Sequence, residues 1–218
     1  MRERFEQQLQ LLNQALTKMG SLCEQIITLA AQALTDWDEN LAKKVAEVDS
    51  EIDKMERSIE GTCLRLLLQQ QPVATDLRVI SAALKMITDM ERIGDQAEDI
   101  AEIITFLKGR AAAESVQIRE MARETITMVT GSVDAYVRQD LELAQAVLNH
   151  DDIVDAYFDR VKKNLIDMIA KNPKDGEFAL DLLMIAKYFE RIGDHATNIA
   201  EWVVFSVTGV HKDLEDSE

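Results

Sequence analysis

The sequence predicts an all-α protein made of two tandem three-helix bundles that are related by an internal repeat. Apolar residues recur at helical spacing along most of the chain, and one twelve-residue segment occurs twice. The copies are ERIGDQAEDIAE (91–102) and ERIGDHATNIAE (190–201), offset by 99 residues. Only two Pro and eight Gly punctuate the 218 residues, too few for a turn-rich β protein. We assign residues 1–110 to the first bundle and 111–218 to the second.

A second pair of matching segments lies upstream in each repeat, at an offset of 102 residues. The matched positions are Asp38, Leu41, Ala42, Val45, Asp49 and Asp53 with Asp140, Leu143, Ala144, Val147, Asp151 and Asp155. The difference of three residues between the two offsets must be absorbed in a loop. Each repeat therefore contains one Asp-x-x-x-Asp motif and one Glu-x-x-x-Asp motif.

The helices of the first repeat follow from apolar periodicity and from the residues that interrupt it. They are expected at 5–34, 38–70 and 75–107. Gly20 lies inside the first helix and indicates a close contact there. Pro72 ends the second helix, because proline disfavours helical backbone in the residue before it. Thr75 or Asp76 can cap the third helix.

The second repeat follows the same scheme. Its helices are expected at 114–138, 141–170 and 177–207, after a connection at 108–113 that contains Gly109. Asn172, Pro173 and Gly176 mark the last junction. The acidic tail 211–218 is expected to fray. Short connections between long helices predict antiparallel neighbours, hence a three-helix bundle in each repeat.

Composition limits the classes of function. The net charge is −16, from 24 basic and 40 acidic residues, which argues against nucleic acid and anionic membranes as partners and favours cations or basic protein surfaces. Neither a signal peptide nor a membrane-spanning run is recognisable, so we expect a cytoplasmic protein. Cys23 and Cys63 are expected to be reduced and buried.

Acidic residues form stripes beside the apolar faces of the second and third helices. In the third helix, Glu91, Asp95, Glu98 and Glu102 share one stripe, about a quarter to a third of a turn from the core stripe. If the second and third helices pack antiparallel, four carboxylates converge: Asp49, Asp53, Glu91 and Asp95. The second repeat offers Asp151, Asp155, Glu190 and Asp194. Asp99 and Glu102, or Asn198 and Glu201, are possible additions to each set.

Converging carboxylates repel one another unless a cation compensates. Oxygen ligands of this kind suit Mg²⁺, Ca²⁺, Mn²⁺ or iron better than a structural zinc. Any single acid pair in such an acidic chain is more often a solvated face. Because the pairs recur at matching places in both repeats, we favour metal binding by all eight residues.

Other residues beside the motifs leave alternatives open. Arg92 and Arg191 are expected to point away from the acids, where they pair with neighbouring carboxylates or contact a partner. His195 follows Asp194, but its counterpart is Gln96, so a surface or hydrogen-bonded role is favoured over a ligand role. The apolar run 202–205 is either core or a dimer or partner surface.

With these residues in hand, the chain resembles the PhoU family of phosphate transport regulators. The matching motifs are Asp49/Asp53, Glu91/Asp95, Asp151/Asp155 and Glu190/Asp194, together with the run QPVATDLR at 71–78. The second repeat departs from the family pattern, since Arg78 has no equivalent near residues 175–177 and Asn198 replaces Asp99.

The resemblance implies a homodimer of doubled bundles with surface metal clusters that hold iron, manganese or magnesium. It also implies a non-enzymatic negative regulator of phosphate uptake and starvation signalling. The implied partners are the ATPase subunit of the phosphate ABC transporter and the sensor histidine kinase of the phosphate regulon.

Two alternatives remain at this point. A di-metal carboxylate enzyme is disfavoured because such sites use Glu-x-x-His pairs, and Val147, Ile192 and Thr208 stand three residues before the three histidines. A metal-independent helical adaptor, whose acidic stripes bind a basic partner, fits the same charge pattern.

Overall fold

The computed structural model describes residues 2–36, 38–69, 73–107 and 115–210, which are almost entirely helical. The six α-helices in these ranges are α1 (Arg2–Asp36), α2 (Glu39–Gln69), α3 (Ala74–Phe106), α4 (Ser115–Arg138), α5 (Leu141–Lys171) and α6 (Gly176–Thr208). No strand occurs among the described residues, so the all-α prediction is confirmed. Pro72, the connection 108–113, the boundary at 110/111 and the tail 211–218 lie outside the described residues.

Local side-chain chemistry accounts for several helix ends. Asp140 caps α5, since its carboxylate accepts a hydrogen bond from the Leu143 N–H at 3.0 Å. Asp76 lies within the first turn of α3 instead of preceding it, and its Oδ2 accepts from the Val73 N–H at 3.3 Å. Gly209 ends α6 in the left-handed conformation, with φ of 81°, which glycine adopts without strain.

The two predicted bundles share one hydrophobic core. Helices α1, α2 and α3 pack against one another, as do α4, α5 and α6, which confirms the two three-helix bundles. In addition, α3 packs along α6 and α1 packs along α4. A Cβ on Gly20 would stand 3.0 Å from Val133 Cγ1, so the predicted close contact is between α1 and α4. Cys23 and Cys63 are buried free thiols, as expected.

Helices α3 and α6 run antiparallel at the interface between the repeats. Asp89 contacts Asn198, Gln96 contacts His195, and Lys85 lies over the Trp202 ring, so rising numbers on α3 meet falling numbers on α6. Gln96 and His195 occupy equivalent positions of the repeat. The pseudo-twofold axis therefore passes close to this pair, perpendicular to the helices.

Burial of α3 extends beyond the single core stripe that the sequence predicted. The helix also buries Ile80, Ile87, Ile93, Ile100 and Ile104, because α1, α2 and α6 all pack against it. On α6, the run 202–205 belongs to this interface: Val203 is fully buried, and Trp202 packs against the core. The core interpretation is therefore confirmed for Val203, while Trp202, Val204 and Phe205 are half-buried.

A bilayer span would need a long helix that is predominantly apolar. None of the helices in the described part of the chain meets that requirement.

Candidate functional site

Helices α2 and α3 bring together the four carboxylates that the sequence predicted for the first repeat. Asp49 and Asp53 project from one face of α2, and Glu91 and Asp95 from the facing shoulder of α3, because residues four apart lie on the same side of a helix. The charges of Asp53, Glu91 and Asp95 all act on Asp49. We name Asp49, Asp53, Glu91 and Asp95 the first acid cluster.

Asp49 is the most confined member of the first acid cluster. Its Oδ1 is buried and has no hydrogen-bond partner among the described residues. It lies against Gly94, where an added Cβ would stand 2.6 Å away. The pKa of Asp49 is raised to about 7, first by burial and then by the charges of Glu98, Asp53, Asp95 and Glu91, in that order.

Glu98, which was not among the predicted ligands, lies beside the first acid cluster and acts on it. Among the charged neighbours of Asp49, Glu98 has the largest effect on the Asp49 pKa. The pKa of Glu98 itself is raised, first by burial and then by the charge of Asp95. Its place on the same stripe as Glu91 and Asp95 was the signal. Burial, followed by Asp95, also raises the pKa of Glu91.

Two arginines lie at the rim of the first acid cluster. Arg57 contacts Asp53 at 3.0 Å, and Arg92 contacts Asp95 at 3.1 Å and Glu91 at 3.6 Å. The alternative in which Arg92 pairs with neighbouring carboxylates is confirmed, since its exposed guanidinium reaches Asp95, one turn further along α3. Both guanidinium groups are mostly exposed, so these ion pairs add little stability.

Helices α5 and α6 form the equivalent group in the second repeat. Asp151 and Asp155 come from α5, and Glu190 and Asp194 from α6. The pKa of Asp194 is raised to about 6, first by partial desolvation and then by the charges of Glu190 and Asp151, although the residue is exposed overall. Burial also raises the pKa values of Asp151 and Asp155. We name Asp151, Asp155, Glu190 and Asp194 the second acid cluster.

The second acid cluster contains its own cation, Lys187, which the sequence analysis missed. The Lys187 ammonium is paired with the Glu190 carboxylate. Its charge lowers the pKa values of Asp155 and Asp194, which partly offsets the increase caused by burial and by the neighbouring acids. Thr197 also donates a hydrogen bond to Asp151 Oδ1 at 3.3 Å. The spacing of three residues from Lys187 to Glu190 was the signal in the sequence.

Of the proposed additions to the clusters, Asn198 turns elsewhere. Its amide donates to Asp89 Oδ1 at 3.1 Å, at the α3–α6 interface. Burial raises the pKa of Tyr188, and the charge of Asp99, across the same interface, is the second cause of that increase. Glu102 acts on Glu98.

His195 is held by hydrogen bonds at the α3–α6 interface, as the favoured interpretation expected. Its Nδ1 lies 2.9 Å from Asp89 Oδ1, and its Nε2 lies 3.0 Å from Gln96 Nε2. Because a carboxylate only accepts and an amide nitrogen only donates, His195 donates from Nδ1 and accepts at Nε2 when neutral.

The donors of both clusters fit a hard cation in charge and chemistry. They are carboxylate oxygens, and the orphaned Asp49 Oδ1 lacks the partner that a buried acceptor needs. They do not form a finished site: in the described ranges, no three Asp, Glu, His or Cys side chains are arranged to hold a metal ion. Side-chain rotation would have to bring the oxygens around one point.

Comparison with known proteins matches both repeats to one family. Residues 16–104 and 118–203 each match the PhoU domain. The chain is 38% identical over 217 residues to the "Phosphate-specific transport system accessory protein PhoU homolog" of Clostridium acetobutylicum, covering 99% of both proteins. A homologue with the same description from Pseudomonas aeruginosa is 35% identical over 95% of this chain and 86% of its own length.

Two crystal structures share the fold. PhoU from Pseudomonas aeruginosa superposes with a TM-score of 0.89 at 36% identity, over 94% of this chain and 100% of the other. The phosphate transport system regulatory protein PhoU from Streptococcus pneumoniae gives 0.86 at 27% identity, over 94% and 98%. Each of the two solved structures thus shares the fold of this chain over 94% of its length.

Proposed function

We propose, since this chain belongs to the PhoU family, that it is a regulatory accessory protein of a phosphate transport system. The observation that carries the proposal is that both repeats match the PhoU domain. The chain is also 38% identical, over 99% of its length, to a relative described as such an accessory protein. In this role the protein lowers phosphate uptake and keeps starvation signalling off when phosphate is plentiful.

The protein acts in this proposal as a non-enzymatic adaptor in the cytoplasm. One partner is the ATPase subunit of the phosphate ABC transporter, the other is the sensor histidine kinase of the phosphate regulon, and the working form is a homodimer. Long helices with acidic shoulders support this role, because they offer extended charged faces to basic partner surfaces. The ferritin-like enzyme alternative lacks the Glu-x-x-His pairs that it needs.

Metal ions belong to the same proposal. The first acid cluster and the second acid cluster would each hold iron, manganese or magnesium on carboxylate oxygens. A bound cation would supply positive charge that cancels the repulsion among the acids. The carboxylates would then tie α2 to α3 and α5 to α6, which would stiffen the helix faces that a partner contacts.

A second candidate is an adaptor that works without metal. The absence of three assembled ligands among the described residues favours it. In that case the carboxylates remain free to contact Lys and Arg on a partner. Partner affinity would then fall steeply with salt and would not respond to chelators.

The regulatory role is tested in cells whose own PhoU homologue has been deleted. Expression of this chain should restore repression of a phosphate-starvation reporter in phosphate-rich medium. A reporter that stays active, although the chain is expressed and folded, would contradict the role.

The metal and metal-independent candidates are separated on purified protein. Elemental analysis without affinity tag or chelator should find metal that falls by about half when Asp49, Asp53, Glu91 and Asp95 become Asn or Gln, because distant sites act independently. Binding to the transporter ATPase is then measured against salt and chelator. Metal-free protein that binds the ATPase with full affinity would leave only the second candidate.

A further inference from the structure

The two acid clusters look alike in sequence but differ in how their charge is balanced. In the second acid cluster, Lys187 pairs with Glu190 and also acts on Asp155 and Asp194. The ammonium group of Lys187 lies over the Phe158 ring, with Nζ 5.4 Å from the ring centroid. The residue at the equivalent position of the first repeat is Thr88, 99 residues earlier, and its hydroxyl donates to the Leu84 carbonyl at 3.4 Å.

A second difference concerns the confined aspartates. Asp151 Oδ1 receives a hydrogen bond from Thr197, whereas the equivalent Asp49 Oδ1 has no partner among the described residues. The first-repeat residue equivalent to Thr197 is Glu98, which adds negative charge beside Asp49 instead of a donor. The first acid cluster therefore has an additional acid where the second has a hydroxyl donor, and its cations Arg57 and Arg92 are more exposed (70% and 57%) than Lys187 (44%).

We infer that Lys187 occupies the place of a cation in the second acid cluster, so that the first acid cluster binds divalent metal more tightly. A metal ion entering the second cluster must displace the ammonium from Glu190 and break the bond between Thr197 and Asp151. Entry into the first cluster displaces only the exposed guanidinium groups of Arg57 and Arg92, removes repulsion and gives the orphaned Asp49 oxygen a partner. This inference rests on the metal part of the proposed function and assigns unequal roles to its two sites.

The consequence for regulation is a graded response to metal. At low metal concentration only α2 and α3 would be tied together, while α5 and α6 would remain bridged by Lys187. At high concentration both repeats would be loaded. The two ends of the pseudo-symmetric molecule would thus differ in their surface charge at intermediate metal concentrations.

The test uses Mn²⁺ and the full chain, with each cluster measured alone. Asp151→Asn with Asp155→Asn leaves the first cluster, and Asp49→Asn with Asp53→Asn leaves the second. Free Mn²⁺ is counted by electron paramagnetic resonance during titration. We expect the second cluster to bind about tenfold more weakly or worse, the usual scale for groups that contact metal ligands.

Reciprocal substitutions at Lys187 and Thr88 identify the cause. Lys187→Thr should tighten Mn²⁺ binding by the second cluster by about tenfold, and Thr88→Lys should weaken binding by the first cluster by a similar factor. Lys187→Met, which keeps the aliphatic stem over Phe158, should act like Lys187→Thr, and Lys187→Arg should leave binding weak. Circular dichroism checks that every variant is folded.

Equal affinities in the two clusters, with no effect of Lys187→Thr, would overturn this inference and leave the metal proposal intact. Absence of Mn²⁺ binding in both clusters would overturn the metal proposal as well. The regulatory role has its own readout, the starvation reporter, so its failure is recognised separately.

Discussion

Asp49 Oδ1 lies in the space that a side chain on Gly94 would fill, 2.6 Å from the position of an added Cβ. Glycine at this point of α3 therefore lets the Asp49 carboxylate from α2 reach the helix backbone. The equivalent contact in the second repeat is looser, since a Cβ on Gly193 would stand 3.8 Å from Asp151 Oδ1. The same Glu-Arg-Ile-Gly-Asp motif thus builds two different environments.

Substitution of the two glycines by alanine should give opposite results. Gly193→Ala meets nothing nearer than Val154 Cγ1 at 3.4 Å, so the higher helix propensity of alanine should stabilise the protein by up to about 1 kcal/mol. Gly94→Ala forces Asp49 aside and crowds Ile52, a conflict that costs about 1–3 kcal/mol and removes that gain. Urea denaturation of both variants measures the difference, and equal stabilities would contradict the crowding of Asp49.

Stability without metal should fall as the pH rises from about 4 to about 7. The pKa of Asp49 is about 7 in the folded protein, above its value of 3.8 in the unfolded chain. Between these values the folded state binds more protons, so the free energy of unfolding decreases with pH and levels off above pH 7. Asp194 contributes in the same sense up to about pH 6.

Asp49→Asn isolates the contribution of Asp49 to this pH dependence. Urea denaturation in chelator, at intervals from pH 4 to 8, should give a flatter profile for the variant and higher stability than wild type at pH 8. Asp159→Asn, an exposed site on α5, is the matched control and should keep the wild-type slope. An unchanged slope in Asp49→Asn would place the source of the pH dependence elsewhere.

His195 should matter for the packing of the two repeats. In His195→Ala, Asp89 and Gln96 lose their shared partner at a largely buried position, which should cost about 1–3 kcal/mol in unfolding free energy. His195→Gln installs the residue that the first repeat has at this position and should cost less. Thermal and urea denaturation compare the two variants. If His195→Ala lowered the free energy of unfolding by less than about 0.5 kcal/mol, as an ordinary surface substitution does, a role of His195 in packing the repeats would be contradicted.

The ring of Tyr136 should contribute more than its hydroxyl to the stability of the contact between the two repeats. The residue is 1% exposed, and its hydroxyl on α4 donates to the Val79 carbonyl on α3 at 3.0 Å. Tyr136→Phe removes only that bond and should cost about 0.5–1.5 kcal/mol. Tyr136→Ala leaves a cavity between the repeats and should cost about 3–5 kcal/mol, as for other large buried aromatics. Equal losses in the two variants, measured by denaturation, would show that the hydroxyl dominates.

Much of the fold was readable from the sequence because its signals are periodic. The apolar stripes located all six helices of the described ranges, and the repeat predicted two bundles of like architecture. Residues 202–205 on α6, apolar on every side, indicated a helix covered on more than one face. The extra burial of α3 was missed, because its isoleucines fall outside the stripe that one partner helix would need.

The candidate site was predicted less completely. Spacing places Asp49 with Asp53, and Glu91 with Asp95, because residues four apart share a helix face whatever packs against it. The packing of α2 against α3 brings the two pairs together. The involvement of Glu98 and Lys187 depends on which side chains of a neighbouring helix come within reach. For Arg92, spacing did not choose between ion pairs with neighbouring carboxylates and a partner contact, because local charge decides the direction of a long flexible side chain; the structure shows the ion pairs.

The sequence by itself determined the helices, their doubling and the eight acidic residues, since these depend on short-range periodicity within one chain segment. Only the tertiary structure decided that the two bundles share a core, that Gln96 meets its counterpart His195, and that Asp49 Oδ1 is buried without a partner among the described residues while Asp151 Oδ1 accepts a hydrogen bond. These features depend on contacts between residues far apart in the sequence, 46 positions for Asp151 and Thr197 and 99 for Gln96 and His195. Burial and charge are properties of such assembled surroundings, so identical motifs acquire different chemistry once the helices are packed.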